Sequence, residues 1–263
     1  MIIMEAEVYS LDGSKKERMT LPAAFSAEYR PDLVRRAVHS EQSRRFQQQG
    51  HFVLAGLQTT AVYVGTYSGF RRGRHMGIAM RPRQKLGGGA MGDVRRIPSA
   101  VKGKRAHPHL IEKNLVERIN KREYALAMES AIAGCSQNEI IRKTHPVEMQ
   151  MPMVVEDGIE KVARTKDLIK TLSSLGFSGD IDASHKPKAL NGRRSRKRRF
   201  RKSVLIVVSD AESVGKAGRN IPGVDVIGVK SLDVETLAPG ASPRPTIWSK
   251  AAVAQVEASL KGR

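Results

Sequence analysis

Cysteine is nearly absent from this chain of 263 residues: Cys135 is the only one. That excludes an internal disulfide and every zinc site built on two cysteines, and it suits a reducing cytoplasmic compartment. Aromatic residues make up 5%, too few to expect a broad sheet face on which bases stack. No apolar run approaches the ~18 residues of a membrane-spanning helix, so no membrane partner is expected. The opening Met1-Ile2-Ile3-Met4-Glu5-Ala6-Glu7 has neither the basic start nor the long apolar stretch of a signal peptide. The scarcity that says most is local: two stretches almost without acid.

Residues Ser68–His109 carry Arg71, Arg72, Arg74, Arg81, Arg83, Lys85, Arg95, Arg96, Lys102, Lys104 and Arg105 against one acid, Asp93. Residues Lys186–Lys202 carry Lys186, Lys188, Arg193, Arg194, Arg196, Lys197, Arg198, Arg199, Arg201 and Lys202 with no acid at all. These two segments account for the whole net charge of +20, since the rest of the chain is balanced. Concentrated like charge repels itself unless a polyanion neutralises it, and RNA or DNA is the usual one. A sequence pI near 10.4 points the same way. Arginine outnumbers lysine in both segments, which suits bidentate contact with phosphates and base edges. Arg44 and Arg45, at the polar end of the first helix, join the candidate RNA contacts, as do His75 and His107 beside the arginines.

Along the chain, Ile2–Leu11 reads as a strand ending in the Asp12-Gly13 turn, and a helix runs from Pro31 to about Gln49. From residue 65 to 109 glycines and prolines punctuate the sequence. Its few apolar residues keep no period, so an extended loop without a core of its own is expected there. Leu115, Ile119, Leu126 and Ile132 suggest a helix to about Ala133, and Ser136-Gln137-Asn138-Glu139 has the pattern of a capping box opening a short one. Met151–Val155 is a strand, and Thr165 caps a helix that Gly176 ends. Asp180-Ile181-Asp182 suggests a short strand. Val204–Val208 is the strongest strand, its continuous apolar run predicting a central parallel position buried on both faces. A helix at Ala211–Arg219, a strand at Val224–Val229, a helix at Leu232–Leu237 capped by Ser231 and a C-terminal helix from Ser249 complete the series. The alternation predicts an α/β fold: a mostly parallel sheet flanked by helices, a long basic extended loop inserted, and a C-terminal helical tail. The expected organisation is one globular domain over 1–263, an inserted loop at 65–109, an internal basic segment at 186–202 and a C-terminal extension at 245–263.

Motifs for catalysis are weak. Gly87-Gly88-Gly89-Ala90-Met91-Gly92 satisfies G-x-G-x-x-G, but neither a strand before it nor a helix after it is expected, so it reads as backbone passing close to another surface rather than a cofactor loop. His107-Pro108-His109 has no carboxylate or thiol beside it and reads as a nucleic-acid contact rather than a chelate. Asp180 and Asp182 lack a partner motif for acid–base work. Cys135 ends an apolar stretch and reads as a buried filler. No catalytic residue, metal or cofactor is expected.

Gly69-Phe70-Arg71-Arg72-Gly73-Arg74-His75, Arg81-Pro82-Arg83, Gly87-Gly88-Gly89 and Gly103-Lys104-Arg105-Ala106-His107-Pro108 together resemble the large-subunit ribosomal protein four family in its archaeal and eukaryotic branch. Ile119-Asn120-Lys121-Arg122-Glu123, Ala127–Ala133 and Val204–Ser209 behind a basic run match later segments of that family in order. The resemblance implies a structural constituent of the large ribosomal subunit. It implies a primary rRNA binder acting early in assembly, whose loop helps line the polypeptide exit tunnel. Arg71, Arg72, Gly73, Arg74 and His75 would lie near the tunnel wall, while Arg81, Arg83, Lys85 and Arg105 would bind rRNA phosphates. The implied partners are large-subunit rRNA, neighbouring ribosomal proteins and the nascent polypeptide; no homo-oligomer is expected. Two rival readings stay open: an RNA-modifying enzyme with a nucleotide cofactor on the parallel sheet, and a free regulatory RNA-binding or DNA-compacting protein.

Overall fold

The computed structural model describes residues 4–63, 80–147, 149–186 and 200–261. It divides into two compact units, residues 1–45 with 116–263, and Phe46–Leu115. In the first unit the chain begins with β1 (Glu5–Tyr9), β2 (Lys15–Thr20) and α1 (Pro31–Ser43). The second unit contributes β3 (Arg83–Lys85) and β4 (Met91–Val94). The first resumes with α2 (Lys121–Gly134), α3 (Asn138–Arg142), β5 (Met153–Val155), α4 (Thr165–Ser174) and α5 (Ser178–His185). It ends with β6 (Leu205–Val208), α6 (Glu212–Gly218), β7 (Asp225–Gly228), α7 (Val234–Leu237), β8 (Thr246–Ser249) and α8 (Lys250–Lys261).

The first unit is an α/β fold on a six-stranded sheet of order β2-β1-β5-β8-β6-β7, antiparallel only at the β2–β1 edge. Alternation along the strands divides the core in two. Val154, Leu205, Val207 and Trp248 face one layer with α1, α2, α7 and α8. Met153, Val155, Ile206, Val208 and Ile247 face the other with α4, α5 and α6. All four β6 residues are fully buried, as its continuous apolar run predicts, because helices cover both faces of a parallel strand. Each such side chain contributes about 1.5–3 kcal/mol of burial. Trp248 packs edge-on against Phe25 with centroids 5.1 Å apart, and its indole N–H donates to Thr246 Oγ1 at 3.1 Å.

Local signals place most ends. Gly176, at φ +84°, closes α4: its N–H reaches Ser173 O, and the next N–H, of Phe177, reaches Leu172 O at 3.0 Å. This paired closure needs a left-handed residue, which glycine adopts at little cost.

Several expectations are corrected. Asp180-Ile181-Asp182 is helical, within α5; a run of three residues could not distinguish an alternating strand from a helical turn. The first helix stops at Ser43, and residues 44–49 are not helical. Residues 110–120 are not helical either; α2 starts at Lys121 and buries Ala127, Met128, Ala131 and Ile132 while Leu126 is exposed. Small residues let α2 approach its neighbours, so the large apolar ones misled. Ser136 does not cap α3: its hydroxyl donates back to Ile132 O. Thr165 and Ser231 do not cap either, since α4 begins at Thr165 itself and α7 begins at Val234 after Asp233. The N-terminal amides of α7, those of Val234 and Glu235, donate instead to the Glu41 carboxylate from α1 at 3.1 and 2.7 Å. Four strands were unforeseen: β2, mostly exposed and charged; β8, only Thr-Ile-Trp-Ser in length; and β3 and β4 in the stretch expected to be extended loop, β3 leading directly into the glycine motif where no strand was expected. Among the described residues no helix is long and apolar enough to cross a membrane.

Candidate nucleic-acid interface

The unit Phe46–Leu115 is held by backbone rather than by a core. Among its described residues only Ala61 is buried, which accords with the scarcity of apolar residues there. It is nevertheless locally ordered. Strands β3 and β4 pair antiparallel, Arg83 opposite Val94 and Lys85 opposite Met91, with an irregularity between. Val62 joins the other edge, exchanging backbone bonds with Arg83 at 2.9 and 3.0 Å. Gly87–Gly89 form the tip, closed by Leu86 N–H to Ala90 O at 3.0 Å. The glycine-rich motif is therefore a hairpin turn. Gly88 and Gly89 sit at φ +71° and +81°, and a Cβ on any of the three would meet nothing of this chain within 4 Å. Backbone conformation, not crowding within the unit, demands glycine there.

The described part of this unit carries Arg81, Arg83, Lys85, Arg95, Arg96, Lys102, Lys104, Arg105 and Lys113 with only Asp93 and Glu112 as acids. Arg95 is engaged internally, donating to Val101 O at 2.6 Å and Asp93 at 3.2 Å. Arg96 donates to Ala61 O at 3.3 Å. Arg81, Lys85, Lys102, Lys104, Arg105 and His107 are exposed. Repulsion among them is uncompensated within the unit, and that is the electrostatic footprint of a polyanion site. Arg71, Arg72, Gly73, Arg74 and His75 lie outside the described residues. In the other unit Arg44 is exposed, and Arg45 pairs with Glu235.

Of the second basic segment, Arg193, Arg194, Arg196, Lys197, Arg198 and Arg199 also lie outside the described residues. Its two ends are described, and a buried clamp gathers them. Asp180 on α5, fully buried, accepts from Ser203 Oγ at 2.6 Å and lies 3.0 Å from His145 Nδ1. Arg201 Nη2 is 3.7 Å from the same carboxylate. Burial alone would raise the Asp180 pKa; the His145 and Ser203 bonds and the Arg201 charge hold it below its ordinary value. Ser184 Oγ donates to Pro222 O at 2.6 Å, and Ser203 N–H to Gly223 O at 2.8 Å. Lys202 binds Asp225 at 2.8 Å, beside Arg244, which is 1% exposed and bonds the same carboxylate at 2.7 Å. Arg201 and Lys202 thus help seat the segment's end. Sequence reasoning missed this clamp: His145, Asp180 and Ser203 lie far apart in the chain, and only the short acidic doublet marked the place.

The sheet's customary ligand position is self-occupied. Neighbouring β8 and β6 are followed by helices on opposite faces, α8 and α6, and the crevice at such a switch point is where α/β folds take nucleotides. Here Glu160 fills it, accepting from Ser209 N–H at 2.8 Å, Ser209 Oγ at 2.8 Å and Ser249 Oγ at 2.7 Å. Burial opposes ionisation, but these hydrogen bonds outweigh it and keep the carboxyl below its ordinary pKa. Asp210 stands beside it and accepts from Glu212 N–H at 3.1 Å. A nucleotide phosphate would meet two carboxylates, which disfavours the cofactor-enzyme reading. An open depression of about 660 Å³ nearby, lined by Ser209, Asp210, Lys230, Gln255 and Ser259, has both signs of charge. Cys135 is fully buried; burial pushes its thiol up to about 12, and it donates to Leu237 O at 3.5 Å, as expected of a filler. His107 and His109 are exposed, and no group of three His, Cys, Asp or Glu among the described residues is placed to hold a metal.

The model of the ribosomal protein L4/L1 family matches residues 19–259. The large ribosomal subunit protein uL4 of Archaeoglobus fulgidus is 40% identical over 256 residues, covering 95% of this chain and 97% of the relative. Its counterpart in Methanococcus aeolicus is 39% identical, covering 96% and 98%, and that of Methanocaldococcus jannaschii 38%, covering 97% and 98%. A match over nearly the full length of both chains, carried on the predicted α/β core, means that this chain belongs to the ribosomal protein L4/L1 family.

Proposed function

We infer that the protein is a non-enzymatic, structural constituent of the large ribosomal subunit, bound to its rRNA through two basic segments. The observation that carries the reading is the segregation of charge: an α/β unit balanced apart from its acid-free 186–202 segment, and a second unit whose exposed cations have almost no acid beside them. Residues 65–109 act as an extended loop that enters rRNA, with Arg81, Arg83, Lys85 and Arg105 on phosphates. Arg71, Arg72, Gly73, Arg74 and His75 face the path of the nascent polypeptide at the exit tunnel. The 186–202 segment is a second rRNA arm, fastened at its base by Asp180. Supported by its family, the protein binds early in subunit assembly and meets neighbouring ribosomal proteins there.

Ordering a segment costs roughly 1–2 kcal/mol per residue in backbone entropy, so a loop with so little core must make contacts along its whole length. Neutralising about ten phosphates gives a log–log salt slope of about −7 to −9. Titrating purified protein against transcribed large-subunit rRNA over a range of salt tests this. Replacing Arg81, Lys85 and Arg105 with glutamine should flatten the slope by about two to three. An unchanged slope refutes their phosphate role.

A further inference from the structure

The hairpin of the basic unit borders a half-open cavity of about 210 Å³ whose lining includes Val62, Tyr63, Arg83, Gln84, Lys85, Leu86, Ala90 and Met91. Its walls are of two kinds. Val62, Leu86, Ala90 and Met91 are apolar, and Tyr63, Leu86 and Met91 are 52%, 54% and 44% exposed, so a substantial apolar surface is left uncovered. Arg83, Gln84 and Lys85 bring charge and hydrogen-bonding groups to the same rim. The Nε–H of Arg83 is shielded from solvent and has no acceptor. An enclosed donor without a partner is an unrelieved cost of this conformation.

We propose that this cavity receives one unstacked nucleobase of the rRNA, resting on the functional reading above. The volume is below the ~300–1,000 Å³ of pockets for drug-sized ligands, and suits one planar ring system. Tyr63 offers a stacking surface, and Leu86 and Met91 offer apolar contact. Gln84 carries a donor and an acceptor for a base edge, and Lys85 and Arg83 meet the flanking phosphates. RNA proteins read single-stranded bases in this way, by stacking together with edge contacts. The few carboxylates of the unit favour a nucleic acid over an ordinary protein segment as occupant. The hairpin therefore reads an RNA feature as well as neutralising phosphates.

The test separates insertion from charge. Full-length protein and its variants are titrated against transcribed large-subunit rRNA, with duplex DNA as comparison, at several salt concentrations. Ala90→Phe fills the cavity without altering charge: affinity should fall about tenfold at every salt with an unchanged slope. Tyr63→Phe should bind as the wild type, and Tyr63→Leu about tenfold more weakly. Lys85→Ala should flatten the slope by about one. If Ala90→Phe unfolds by circular dichroism, the Tyr63 pair decides alone. Wild-type affinity in folded Ala90→Phe, or in Tyr63→Leu, overturns the base site and leaves the phosphate contacts standing. Equal binding of rRNA and duplex DNA by the wild type overturns the ribosomal reading, and the base site with it.

Discussion

Replacing Asp180 with alanine removes the carboxylate at the root of the second basic segment. The side chain is fully buried and accepts from Ser203 Oγ at 2.6 Å and from the His145 ring at 3.0 Å, with Arg201 at 3.7 Å. Hydrogen bonds to a charged group contribute about 1.5–3 kcal/mol each. Their loss is not additive, and breaking a buried charged cluster costs about 3–5 kcal/mol in all. Asp180→Ala should destabilise by that amount, and Asp180→Asn, which keeps the shape and one acceptor, by less. Urea unfolding followed by the fluorescence of Trp248, the sole tryptophan, and by circular dichroism measures both. The pH dependence has a fixed sign. The folded-state pKa lies below its ordinary value, so the unfolded chain takes up the proton first as pH falls. The difference between wild type and Asp180→Asn should be full above the unfolded value of ~3.9 and be lost as pH drops through the folded one. Destabilisation by Asp180→Ala of less than ~1 kcal/mol, or a difference independent of pH, would refute the clamp.

Trp248→Ala should cost about 3–5 kcal/mol, since the ring is fully buried against Phe25; a loss below ~1 kcal/mol, by circular dichroism in urea, would contradict a core strand at β8. Glu160→Gln keeps the shape of the crevice but weakens its bonds to Ser209 and Ser249. It should lower stability by about 1–3 kcal/mol in the same assay, and an unchanged midpoint would mean that Glu160 does not hold the strand ends. Cys135, buried with its thiol at about 12, should react with a disulfide reagent only as fast as the unit opens. A reaction rate unaffected by added urea would show the thiol to be accessible in the native state.

The parts legible in the sequence were those whose signal is local. Val204–Val208 announces a central strand because a run of apolar, mostly β-branched residues has few other places to go. Gly176 announces a helix end because the left-handed turn requires it. The basic segments were legible because charge needs no folding to be counted. The missed parts depend on distant partners. Thr246–Ser249 becomes a central strand only because β5 and β6 flank it, and its own sequence offers just two adjacent apolar residues, Ile247 and Trp248, with neither alternation nor a long apolar run. Asp180 looked like half of an acidic doublet until the fold placed His145 and Ser203 beside it. The glycine motif was read without a strand before it, but β3 leads into it, because its hairpin, and the Val62–Arg83 pairing beside the small cavity, follow no sequence period.

The most direct test of the account is sucrose-gradient sedimentation of native cell extract, probed for this protein before and after a high-salt wash. Retention in the large-subunit and monosome peaks through the wash is the predicted result, since a protein seated in rRNA by many contacts along two arms leaves only when the subunit is taken apart. Presence in the light fractions alone would contradict the account and revive the free RNA-binding protein.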